Sequence, residues 1–159
     1  MSEAGDETYP PTVRPEAPGR GPAEPSHTRD FPPLRKVDAV TVPVPDLDSG
    51  LAFYRDQLGH ELIWRNDTLG QAGLQLPDSD TEIVLTTRLD YVPNWLVSSA
   101  DDAANAFHAV GGRVITAPFD VPVGRVAVVA DPFDNILTLI DLSKGTYTTD
   151  EDGSVTGVA

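Results

Sequence analysis

AVTVPVPDLDSGLAFYRDQLG, residues 39–59, changes period in its middle. Val40, Val42 and Val44 stand two apart, the spacing of one strand face. Leu51, Tyr54 and Leu58 stand three and four apart, the spacing of one helix side, with Phe53 beside them. Pro43 and Pro45 lack an N–H and suit a strand end or edge. Asp46 or Asp48 is placed to cap a helix over 49–57, and Gly59 to end it. Strands are predicted next at 61–65, 71–76 and 81–87, with the polar PDSD (77–80) as a turn.

The same order returns further on. With a shift of 54 residues, Asp48 meets Asp102, Ala52 and Phe53 meet Ala106 and Phe107, Gly70 meets Gly124, Asp80 meets Asp134, and Leu85 meets Leu139. The second copy predicts a strand at 95–98, a helix at 101–110 ended by Gly111 and Gly112, and strands at 113–116, 125–130 and 136–142. DPFDN (131–135) supplies its turn. Each βαβββ unit is too small to close a core alone, so the two must pair their sheets. The predicted class is α+β: a curved mixed sheet around a cavity, helices outside, with the ligand site in the hollow.

Composition narrows the partners. The chain carries 25 acidic and 11 basic residues, a formal charge of -14, and sixteen of the acids lie in 37–145 against six bases. Such a body repels phosphate backbones and anionic lipid, which predicts no nucleic-acid and no membrane partner, and it attracts cations. Without cysteine there is no disulfide, thiolate site or cysteine nucleophile. No apolar run approaches a membrane span and the N-terminus is unlike a secretory signal, so a cytoplasmic protein is expected. Residues 1–35 hold more than half of the fifteen prolines and read as a disordered tail that contains His27. Residues 36–145 read as the folded body, in halves of about 36–90 and 91–145, and 146–159 as an acidic C-terminal tail.

The segments PDLDSGLAFYRDQLG and GGRVITAPFDVPVGRVAVVADPFDNILTLIDLSKG resemble the vicinal oxygen chelate superfamily, which includes glyoxalase I, extradiol dioxygenases and the bleomycin-resistance protein. The resemblance spans 37–145. It implies, for the enzymes of that superfamily, a divalent metal held in the cupped sheet by His and carboxylate side chains from the first and last strand of each half. Carried over residue by residue, those positions fall on Ala39 and Thr138, with Val84 and Pro93 as their counterparts. None is a customary ligand; Asp38 and Glu82 are the nearest carboxylates. His60 falls in the turn after the first helix and His108 within the second helix. The expectation is therefore no metal and no cofactor.

If Ala39 and Thr138 face inward, alternation puts Thr41, Glu82, Thr86 and Trp95 on the same side, with Gln71, Gln75, Arg125 and Val129 from the third strands. Trp64 and Phe119 would add aromatic walls. The predicted ligand-binding set is Thr41, Trp64, Gln75, Glu82, Trp95, Phe119, Arg125 and Thr138. Glu82, desolvated in such a hollow, is the one candidate for acid–base catalysis. The resemblance to the bleomycin-resistance protein implies a metal-free homodimer that sequesters a small molecule. The alternatives are a lyase, isomerase or dioxygenase with displaced ligands, and an interaction module whose hollow is closed.

Overall fold

The change of period is realised as β1 (Lys36–Pro43) followed by α1 (Leu47–Leu51), capped by the Asp46 carboxylate, which accepts from the Ser49 amide at 2.7 Å. This computed structural model describes residues 31–159; His27 and most of the predicted N-terminal tail lie outside the described residues. After α1 the chain continues as a π-helical segment, Ala52–Gln57. The wider turn carries Leu58 off the apolar stripe, so Leu58 and Phe53 are exposed while Leu51 is buried and Tyr54 packs on the core.

The remaining elements are β2 (Leu62–Asn66), β3 (Gln71–Leu76), β4 (Ser79–Thr86), β5 (Val92–Leu96), α2 (Ala100–Ala109), β6 (Arg113–Val121), β7 (Gly124–Ala130), β8 (Ile136–Asp141), β9 (Tyr147–Thr149) and β10 (Val155–Val158). Eight strands make one mixed, curved sheet in the order β2-β3-β4-β1-β5-β8-β7-β6, not closed into a barrel. The two βαβββ halves meet edge to edge where β1 pairs antiparallel with β5. Within each half the first and last strands run parallel. Among the described residues no helix is long and apolar enough to cross a membrane.

Each half keeps its own core on the helix side. In the first, Leu47 and Leu51 pack on Ala72, Leu74 and Leu85; in the second, Ala100, Ala103 and Ala104 of α2 pack on Val97, Ala127, Val129 and Leu139. Small alanines let α2 lie close to its strands. A fully buried leucine contributes about 1.5–3 kcal/mol relative to an exposed one, and Leu74, Leu85 and Leu139 are completely buried. Asp141 ties the second half together: its carboxylate accepts from the amides of Ala100 (2.7 Å) and Arg125 (3.0 Å) and the Ser143 hydroxyl (2.6 Å). Gly124 has to be glycine, since a Cβ there would collide with the Asp141 carbonyl oxygen.

The repeat is real but slips twice. Leu85 pairs with Val42 and Ala72; Leu139 pairs with Trp95 and Ala127. Trp95 thus corresponds to Val42 and Ala127 to Ala72, each one residue away from the ungapped 54-residue offset. A slip of one residue exchanges the faces of a strand. Trp95 and Val129, expected in the hollow, lie instead in the helix-side core. Arg125, expected there too, pairs with Asp101 of α2 at 3.2 Å and with Asp120 at 3.0 Å. β5 also begins earlier than predicted, because Pro93 is accommodated inside it rather than before it.

The segment expected as an acidic tail is a hairpin. The Asp150 carboxylate accepts from the amides of Asp152 and Ser154 at the turn, Gly153 takes φ +86, and Thr146 and Ala159 exchange backbone bonds of 3.1 and 3.0 Å at the open end. Its acidic tip carried the tail-like composition, whereas Tyr147 and Val155 do the docking.

Candidate functional site: the concave face of the sheet

A continuous line of cross-strand neighbours runs over the face opposite the helices. Gln75 pairs with Glu82, Glu82 with Ala39, Ala39 with Asn94, Asn94 with Thr138, Thr138 with Val128, and Val128 with Thr116. Paired residues share a face and stand about 5 Å apart. Glu82, Asn94 and Thr138 therefore approach Ala39 as a shallow polar row with a gap in its centre. A second line on the same face is apolar: Leu96 pairs with Ile140, Ile140 with Val126, and Val126 with Phe119.

In the first half this face is covered. Trp64 reaches it because the pairing of β2 with β3 shifts between Leu62 and Trp64, which sends Leu62 to the helix-side core and Trp64 to the other face. The indole lies over Gly73, where a Cβ would strike the ring. Its Nε1–H donates to Glu82 Oε1 at 2.8 Å. Ala39, Trp64 and Val84 form one buried cluster, and Tyr147 of β9 and Val155 of β10 pack on it. The Trp64 and Tyr147 ring centroids are 4.7 Å apart.

Burial pushes the Glu82 carboxyl above the ordinary glutamate range, the Trp64 hydrogen bond opposes, and the Asp38 charge adds to the rise. Asp38 is itself raised, by burial first, with Lys36 opposing and Asp80 adding. The one cation in this group, Lys36, is paired with Asp80 at 2.8 Å. Beside Glu82 a shallow hollow of about 370 Å³ opens between Ile63, Gln75, Leu76, Pro77 and Thr81. In the second half the concave face is open. Phe119 is 44% and Ile136 57% exposed, and Asn94, Thr138, Val126 and Val128 are half-buried.

Of the residues predicted to line the hollow, the structure brings Trp64, Gln75, Glu82, Phe119 and Thr138 to the concave face. Thr41 is on it but fully committed: its hydroxyl donates to the Asp90 carbonyl at 2.6 Å and it is buried. Trp95 and Arg125 are on the other face. Asn94 was missed, and the only signal for it is the slip of β5, which the ungapped repeat hides.

The donor set does not fit the metal of the resembled enzymes. Ala39 and Val84 have no donor, Asn94 and Thr138 offer neutral oxygens only, and among the described residues no three His, Asp or Glu side chains converge to hold an ion. His60 lies in the turn before β2, with its Nδ1 3.1 Å from the Gln75 carbonyl, and His108 is in the last turn of α2.

Residues 36–139 match the family model described as the Glyoxalase/Bleomycin resistance protein/Dioxygenase superfamily. Similar solved structures include the methylmalonyl-CoA epimerase of Mycobacterium tuberculosis, at 23% identity and a TM-score of 0.54, covering 68% of this chain and 88% of that one. A Streptomyces coelicolor methylmalonyl-CoA epimerase variant in complex with 2-nitronate-propionyl-CoA matches at 22% identity and TM-score 0.54, over 68% and 97% of the two chains. A hypothetical protein from Bacillus halodurans matches at 16% and 0.55, over 67% and 93%. At these identities the likeness is one of fold. No curated protein matches the chain.

Proposed function

Because the chain belongs to the glyoxalase/bleomycin resistance protein/dioxygenase superfamily, we propose that its concave face binds a small organic molecule, and that binding proceeds without a metal held in the manner of the superfamily's enzymes. The observation that carries this is the row Glu82–Ala39–Asn94–Thr138, in which one carboxylate stands beside a gap and two neutral side chains, too few ligands to hold an ion in that manner. The second half supplies the apolar floor in Leu96, Val126 and Ile140 and an exposed aromatic wall in Phe119. Apolar lining with a few fixed hydrogen-bonding groups is the usual make-up of a small-molecule site. The acidic body favours a cationic ligand.

An enzymatic reading stands beside it and has the comparisons on its side, since structures of this fold include epimerases. In this chain it would rest on Glu82, a half-buried carboxylate oriented by Trp64 and raised toward the range of a general base.

Native mass spectrometry of the full chain purified from its host, followed by thermal shift with aromatic cationic antibiotics, separates the readings. A co-purified organic mass or a raised melting temperature, with no stoichiometric metal, supports the binder. One equivalent of Zn, Ni, Mn or Fe, or turnover abolished by Glu82→Gln, establishes the enzyme. The same spectrum counts subunits, and a homodimer is the expected state.

A further inference from the structure

The C-terminal hairpin sits where the first half's hollow would be. Its pairing to the body is thin: the Arg65 amide donates to the Gly153 carbonyl at 2.8 Å, and Arg65 bridges Ser154. The rest of its docking is side-chain packing of Tyr147 and Val155 on Ala39, Trp64 and Val84. Tyr147 contributes a flat ring tilted 45° to the indole; burial pushes its phenol above the ordinary tyrosine range, and the nearby Asn66 side chain opposes that rise. Beneath that ring the surface is complete without it, since Trp64 is held by Gly73 and Glu82 and Thr41 bonds to the backbone ahead of β5.

We propose that the hairpin is an internal occupant of this hollow, with the Tyr147 phenol standing where an aromatic ligand bearing a hydrogen-bonding group stacks on Trp64 beside Asn66, and that its release opens a second binding site. Two strands of three and four residues do not hold together alone in water. The tip bears Asp150, Glu151 and Asp152 and no base, above a body that is itself acidic. Gly145, at φ +124 between β8 and β9, gives the segment a joint that other residues resist. A ligand that binds only the open form sees its affinity reduced by the fraction open. The hairpin thus sets a threshold for occupancy. This goes beyond the proposed function, with which it shares Ala39 and Glu82 at the edge of the covered hollow; the open second half, lined by Phe119, Val126 and Ile140, binds or fails to bind whatever the hairpin does.

The test uses p-cresol, the side-chain analogue of tyrosine, added to the full-length protein while the Trp64 indole N–H is followed by NMR, assigned through Trp64→Phe. In Tyr147→Ala a saturable shift is expected, with an apparent affinity about tenfold or more above wild type. Equal affinities, or no shift in a folded variant, overturn the proposal. Hydrogen exchange of the unmodified chain gives a measurement that needs no variant. The amides of Arg65, Thr146 and Ala159 are expected to exchange through local opening, well before those of β3 and β4. Exchange of all of them together, at the rate of global unfolding, would show a fixed part of the core and overturn it equally. Loss of p-cresol binding on Phe119→Ala instead would assign the probe to the second half.

Discussion

The two halves share a fold and differ in what covers their inner face. In the first, a hairpin lies over Trp64, Ala39 and Val84; in the second, Phe119 and Ile136 are open to solvent. On the helix side the contrast runs the other way. The first half closes its core with bulky Leu47 and Leu51, whereas the second uses three alanines and fills the space with Trp95 and Phe107. A duplicated unit can keep its backbone while exchanging bulk between its two faces, and Trp64 and Trp95 are that exchange seen in single residues.

The largest expected effect tests whether the cores are equal. Leu85→Ala and Leu139→Ala delete equivalent, completely buried side chains. Each is expected to lower unfolding free energy by about 2–5 kcal/mol in urea denaturation. One joint transition in both variants means that the halves fold as a unit. A separate early transition in either would break the symmetry and assign independent stability to one half.

Next is Asp141, whose station in the first half is taken by Thr87, a hydroxyl donating to the Gly70 carbonyl at 3.4 Å. Burial alone would raise the Asp141 carboxyl; bonds from Ser143, Ala100 and Arg125 outweigh it and hold the group below the ordinary aspartate range. A depressed folded-state pKa contributes stability above the unfolded value, near 4, and loses it as pH falls through the folded value. Asp141→Asn is therefore expected to cost about 1–3 kcal/mol at neutral pH. The difference from wild type should shrink below about pH 4. A pH-independent difference would mean that the carboxylate charge is not what α2 and β7 require.

The first half was legible in detail because its strands alternate cleanly and its helix announces its cap. Val40 and Val42 face the helix, and Ala39, Thr41, Glu82 and Thr86 face inward, as alternation requires. In the second half the faces of β5 and β7 differ from the expectation, and β6 runs on to Val121, past the predicted 113–116. Alternation fixes which residues share a face, but the choice of face came from an ungapped repeat, and β5 and β7 each depart from it by one residue in opposite directions. The hairpin was illegible for another reason. Its docking comes from contacts of Tyr147, Gly153, Ser154 and Val155 with residues far away in sequence, and a segment rich in Thr, Asp, Gly and Val gives no local sign of them.

A smaller effect of opposite sign is expected at Glu82. Its folded-state pKa is raised, so the native state holds its proton more tightly than the unfolded chain does, and stability falls as pH rises from about 4.3 through the folded value. Glu82→Gln keeps an oxygen for the Trp64 indole and removes the charge. A gain in melting temperature at neutral pH is expected, vanishing toward acid pH. A loss instead would mean that the ionised carboxylate is paired with something that holds it, and the first half would then contain a working charge rather than a tolerated one.

The smallest effect on stability bears most directly on function. Phe119 lies on the edge strand β6, pairs with Val126 and is 44% exposed, so Phe119→Ala is expected to change unfolding free energy by no more than about 0.5 kcal/mol. If the open half is the binding face, the same change removes the aromatic wall, and any ligand-induced rise in melting temperature should drop with it. Tyr147→Ala is the matching change in the covered half, and its expected signature is the reverse: a body that melts earlier but gains a site. Both variants measured with one ligand give four numbers, two stabilities and two affinities. Affinity lost at Phe119 and gained at Tyr147 means one open and one closed hollow in a single sheet. Affinity unchanged by Phe119→Ala removes the second half from the binding reading and leaves the surface beneath the hairpin as the place where a ligand acts.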